Sequence, residues 1–146
     1  AKMVQLDREN AAQYQQNFAD FEQRWTKAIE KWQAQAAPLN GEKIVAYHSS
    51  FRYLFEFLGM KQIADLEPKP GMPPTTSHLL EVLHTVEREQ VYTGYQDAKA
   101  ANWLKSKTTI KSMQLPYTVA GNDNSNDLFS LMDEHIRLLL NLYNVK

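Results

Sequence analysis

The chain has 146 residues and a net charge of −1, with 16 basic against 17 acidic residues, so no basic excess points to nucleic acid. It has no cysteine, which excludes disulfides, thiolate metal sites and cysteine nucleophiles. No apolar run approaches the ~18 residues of a membrane span, and the opening Ala1-Lys2-Met3-Val4-Gln5 has no signal-peptide pattern.

Residues 8 to about 36 read as one long amphipathic helix. Tyr14, Phe18, Phe21, Trp25, Ala28 and Trp32 recur at alternating steps of four and three, which places them on one face. That stripe is expected to pack as core. Asp7 is the expected N-cap, and Pro38 and Gly41 mark the end. The helix is longer than the rest of one domain can cover, so it is expected to bridge to something else.

Beyond it, strand and helix patterns alternate. Ile44–Tyr47 is a strand candidate, followed by a short helix to Leu58 that Ser49 or Ser50 can cap and Gly59 can close. Gln62–Leu66 is a second strand. The run Glu67-Pro68-Lys69-Pro70-Gly71-Met72-Pro73-Pro74 must be a loop, because its prolines deny backbone donors and fix φ. Thr75 or Thr76 caps a helix to about Glu89, Val91–Tyr95 is a third strand, and Asp97 caps a helix to about Lys107. Lys111–Leu115 is a fourth strand, 118–126 a polar loop, and Asp127 to about Tyr143 a closing helix. Leu128, Leu131, Met132, Ile136, Leu139 and Leu140 are expected on its apolar side. The expected fold is α/β, with a long N-terminal helix (1–37) and a three-layer lobe (38–146) holding a four-stranded parallel sheet flanked by helices.

Familiar catalytic and nucleotide motifs are absent. There is no Gly-x-Gly-x-x-Gly, no Gly-x-x-x-x-Gly-Lys and no Gly-x-Ser-x-Gly. Glu87 with Glu89 and Asp133 with Glu134 are expected to be solvated helix charges. His78 and His84, six residues apart, do not align as zinc ligands and are expected at the surface, and His135 is expected to be a half-exposed helix residue. His48 differs. It ends an apolar strand just before a helix, where open α/β sheets bind ligands. From its pattern alone it can be a metal ligand or a hydrogen-bonded structural residue.

Longer runs carry a resemblance. Leu6-Asp7-Arg8-Glu9-Asn10 with Tyr14, Asn17 and Phe18 resembles the start of the interdomain helix of metal-uptake solute-binding proteins of bacterial ABC transporters. The stretch from Pro38 through Tyr47-His48, Tyr53-Leu54-Phe55-Glu56-Phe57-Leu58-Gly59, the run from Leu66 to Thr75, and Leu115-Pro116-Tyr117-Thr118-Val119-Ala120-Gly121 with Asp127-Leu128-Phe129 resemble its zinc-specific branch. The resemblance implies two α/β lobes joined by a rigid helix, with the metal in the cleft between lobes, and this chain matching that helix and the C-terminal lobe. It implies that His48 is this lobe's metal ligand and that two more histidines come from the missing N-terminal lobe.

In many members a carboxylate follows the last strand. That place falls near Val119 here, which cannot coordinate, leaving water or Asp123 as substitutes. The implied cargo is zinc, ahead of manganese or iron, with the half site holding no metal by itself. The implied partners are a divalent metal ion and an inner-membrane ABC permease, the implied location is the periplasm, and no enzymatic activity follows. Incomplete covering of the first helix adds a possible homodimer through that helix. The alternative is a free-standing α/β interaction module whose aromatic-striped helix docks a partner, with His48 structural.

Overall fold

The computed structural model describes residues 2–69, 71–89, 92–95, 103, 106–107 and 111–144, without the side chains of 87–89 and 92–95. The chain divides into two compact units, 1–34 and 35–146.

The first unit is helical. A short helix α1 (Lys2–Leu6) is followed by a turn, and α2 (Ala11–Ala36) carries the chain into the second unit. The long helix thus starts three residues later than the periodicity predicts. Asp7 acts one turn earlier than a cap of α2. Its carboxylate accepts from the backbone and side-chain N–H groups of Asn10 and, at 2.8 Å, from the Tyr14 hydroxyl. The turn over 8–10 therefore satisfies itself before α2 begins. The aromatic stripe is real but unevenly buried. Phe21 stacks on Trp25 at 5.5 Å and Trp25 meets Trp32 edge-on at 5.1 Å, which is the offset geometry aromatic quadrupoles prefer. Trp32 is fully buried, whereas Phe18 is 63% exposed, so the core reading holds for the end of the stripe and not for Phe18.

The second unit is a lobe around a parallel sheet. Its strands are β1 (Lys43–Ala46), β2 (Lys61–Asp65), β3 (Tyr92–Tyr95) and β4 (Ser112–Gln114), in the order β2-β1-β3-β4. All three pairings are parallel. Helix α3 (Arg52–Phe57) links β1 to β2, α4 (Thr76–Glu89) precedes β3, and α5 (Leu128–Leu142) closes the chain. The helix expected over 97–107 lies almost wholly outside the described residues.

Strand β1 is central, and its Ile44, Val45 and Ala46 are fully buried. Strand alternation puts Val45 on one face and Ile44 and Ala46 on the other. Val45 joins Leu66, Leu79, Val82 and Val86 in a core cluster, with Tyr47, Ile63 and Leu83 packed against it. Apolar residues on both faces are what a buried parallel strand requires. The start of α4 is fixed by its neighbours: Thr75 Oγ1 accepts from the His78 N–H, and the His78 ring lies 2.9 Å from the Asp65 carbonyl through Nε2. His78 is therefore a half-buried clamp between α4 and β2, while His84 is exposed as expected.

Two further ties set the entry and exit of β1. The Tyr143 hydroxyl donates to the Lys43 carbonyl at 2.7 Å, joining the end of α5 to the start of β1. Gly59 adopts φ +71°, and a Cβ there would stand 2.5 Å from Asn40 Oδ1. The left-handed backbone and the close approach both demand glycine. Gly59→Ala is expected to cost at least about 1 kcal/mol of unfolding free energy. Urea denaturation checks this, and an unchanged midpoint would contradict it.

Candidate functional site

The strand order sets the place of the site. The chain leaves β1 for β2 on one side and later returns to β3 on the other, so the order reverses at β1. In open α/β sheets the crevice at such a reversal, outside the carboxyl ends of the strands, is where ligands bind. The segments that follow β1, β2 and β4 all emerge at that edge.

His48 is two residues beyond β1, in extended conformation (φ −142°, ψ 162°). The next three residues form a single 3-10 turn before α3 starts at Arg52, and neither serine caps a helix with its side chain. Ser50 is used differently: its Oγ lies 2.8 Å from His48 Nδ1. When Nδ1–H donates to that hydroxyl, Nε2 carries the free lone pair, the form in which an imidazole ligates a metal. The His48 side chain is 28% exposed, so its ring is held yet reachable.

Nε2 faces Glu67. The Glu67 carboxylate places Oε2 3.5 Å from it and is itself only 11% exposed. Its other oxygen, Oε1, accepts from the Gly71 N–H at 2.9 Å. The backbone brings this pair together, because the β1–β2 ladder continues past both strands. Leu66 N–H donates to the Ala46 carbonyl and Glu67 N–H to the Tyr47 carbonyl, both at 2.8 Å. The sequence reading placed Glu67 in a loop and gave it no role. The signal was its register: the second residue past one parallel strand stands beside the second residue past its neighbour.

The turn after His48 is anchored by Phe51, which is buried. Its ring meets Tyr117 edge-on at 6.1 Å and His135 at 5.7 Å. His135 is therefore buried and not half-exposed: Nε2 lies 2.7 Å from the Pro116 carbonyl, and Nδ1 has no partner among the described residues. Burial lowers its pKa below 6.5, against the opposing pull of the Pro116 carbonyl and Glu134.

Glu134 is likewise buried and not a solvated charge. It takes two hydrogen bonds from Arg137, at 2.6 and 2.8 Å, and one each from the side-chain amides of Asn122 and Asn124. These donors, Arg137 first, bring its pKa down to about 2. The pair clamps the loop over 118–126 onto α5. The helix starts with a capping box, Asp127 and Ser130 bonding each other's backbone N–H. Leu128, expected on the apolar side of α5, is instead 51% exposed.

Val119 lies half-buried in this loop and Asp123 is exposed. Among the described residues no three histidine or acidic side chains come together, so neither Asp123 nor any other such group completes a triad with His48 and Glu67.

A family profile described as zinc-uptake complex component A, periplasmic, matches residues 1–141. A comparison with curated proteins finds no match. Solved structures similar to this chain include ZnuA, with a TM-score of 0.80 at 19% identity over 96% of this chain and 53% of that one. A Zn(II)-bound variant of AdcAII from Streptococcus pneumoniae gives 0.75 at 22% identity over 99% and 53%. FpvC from Pseudomonas aeruginosa in complex with Mn2+ gives 0.72 at 17% identity over 94% and 53%. At such identities these structures show the fold, and the chain spans about half the length of each. The profile match shows the family: the chain belongs to the zinc-uptake complex component A family, whose members are transport receptors and not enzymes.

The buried pair on α5 makes the lobe acid-sensitive in two windows. The folded state disfavours a proton on His135, so stability is full above pH 6.5 and declines as pH falls below it. Glu134 contributes stability above pH 4.5 that is lost as pH falls toward about 2. Urea titrations across this range should show both declines. Glu134→Gln should remove the lower one and cost about 1–3 kcal/mol at neutral pH. A variant with the same acid slope as the parent would contradict the assignment.

Proposed function

We propose that this chain forms the C-terminal lobe and interdomain helix of a periplasmic metal-capture receptor, with zinc as cargo and His48 as the lobe's imidazole ligand. In this reading residues 1–37 are the interdomain helix and 38–146 the lobe. The observation that carries the proposal is the state of His48. It stands at the chain reversal of the sheet, with Nδ1 against the Ser50 hydroxyl and Nε2 turned away from that bond. An imidazole pinned through one nitrogen is oriented for a metal on the other.

The chemistry required is binding and release. Zinc prefers about four nitrogen, oxygen or sulfur ligands in a tetrahedron, and a chain without cysteine must use imidazole, carboxylate or water. A second lobe supplying two further histidines would complete the shell and close the cleft, and an ABC permease in the inner membrane would receive the ion. The match to half of each related structure supports this division of labour. Zinc is preferred as cargo because imidazole suits it better than it suits manganese. The zinc-bound AdcAII structure is consistent with that choice, while FpvC holds Mn2+ on the same fold. The exposed Phe18 supports self-association through the first helix as a further part of the reading.

Calorimetric titration of the chain with zinc tests the proposal. Weak one-to-one binding is expected, since one lobe cannot fill the coordination shell, and His48→Ala should weaken it by about tenfold or more. Equal binding by the variant would contradict the role of His48.

A further inference from the structure

We propose that Glu67 is a second metal ligand of this lobe, binding the zinc cargo through Oε2 beside His48 Nε2. The inference rests on the reading of His48 as a cargo ligand and names the partner that reading lacks.

The spacing of the two atoms is the first argument. At 3.5 Å the His48 Nε2 to Glu67 Oε2 separation lies beyond the ~2.7–3.2 Å of a good hydrogen bond. Two ligand atoms on one tetrahedral zinc, each bonded at about 2.0–2.1 Å, stand roughly 3.4 Å apart. The observed gap fits a shared metal better than a shared proton. Electrostatics points the same way. With Nδ1–H given to Ser50, the Nε2 lone pair and a carboxylate oxygen face each other, a repulsive contact that a metal ion bound to both, or a proton on Nε2, turns favourable. Burial adds to it, since a carboxylate largely removed from water needs partners for its oxygens. Oε1 has the Gly71 N–H, and Oε2 is left toward the imidazole.

The geometry is also held before any ion arrives. Glu67 is fixed at its backbone by the bond to Tyr47 and at its side chain by Gly71, which adopts φ +79°. Pro68, Pro73 and Pro74 limit the loop around it. A carboxylate at this place supplies the oxygen ligand that Val119 cannot. It also makes the lobe's contribution one nitrogen and one oxygen, a set that accepts manganese or iron more readily than imidazole alone.

The test is a zinc titration of the 146-residue chain followed by nitrogen-15 NMR of the His48 ring and carbon-13 NMR of the Glu67 carboxyl. Saturable shifts at His48 Nε2 and at the Glu67 carboxyl are expected. Glu67→Gln, which keeps an acceptor for Gly71, should weaken zinc by about tenfold or more. Wild-type affinity in Glu67→Gln, with affinity lost in His48→Ala, would overturn the Glu67 assignment and leave the role of His48 standing. Zinc arriving at Nδ1 would also overturn it. Unchanged binding in His48→Ala, or no saturable binding by the unsubstituted chain, would overturn both readings. Should Glu67→Gln fail to fold, the carboxyl shift in the unsubstituted chain decides, and its absence at zinc saturation overturns the proposal.

Discussion

The parallel pairing of β1 with β2 governs the lobe. Two backbone hydrogen bonds carry the ladder past the ends of both strands, from Leu66 to Ala46 and from Glu67 to Tyr47. Those bonds place residue 67 beside residue 48 at the carboxyl edge of the sheet. Strand β1 is buried on both faces, and after a one-residue shift of β2 between Ile44 and Val45 the register sets Ala46 opposite Asp65. His78, bonded to the Asp65 carbonyl, fixes the next helix to the same edge. The candidate site is thus a consequence of strand register.

Around that edge the structure holds the imidazole at several removes. Ser50 bonds the ring, Phe51 anchors the turn that carries it, and Phe51 rests on Tyr117 and His135. Behind His135, the Glu134–Arg137 pair secures the loop that follows β4. A capture site gains from such stiffness because ligands that are already in place lose little freedom when the ion arrives. In the proposed receptor, a lobe that contributes only part of a coordination shell would also release its ion easily once the remainder withdraws, as delivery to a permease would require.

The order of strands and helices was legible because each element's period is local: alternating apolar residues, caps such as Thr75, and glycine at 59. Boundaries moved by one to three residues where local hydrogen bonding intervened, most clearly at Asp7, which closes its own turn before α2. The faces of α5 were legible only in part, since Leu131, Ile136 and Leu139 are buried as expected. Choosing the apolar side from hydrophobic residues selected Leu128 and passed over Glu134 and His135. The buried residues of α5 are Leu131, Glu134, His135, Ile136, Leu139 and Leu142; all but Ile136 follow the i, i+3, i+4 spacing of one helix face, and two of them are polar. What makes them tolerable inside is tertiary: Arg137, Asn122 and Asn124 around the carboxylate, and the Pro116 carbonyl against the imidazole. Glu67 was missed for a related reason, since its proximity to His48 arises from pairing between segments 19 residues apart (67 − 48).

His48 Nε2 is the proposed point of contact between this chain and a metal ion. Crystals grown with zinc, with anomalous difference maps recorded on both sides of the zinc edge, test it most directly. A peak about 2.0–2.1 Å from His48 Nε2 that vanishes below the edge is expected. An ordered zinc elsewhere in the chain, with the His48 ring bare, would contradict it.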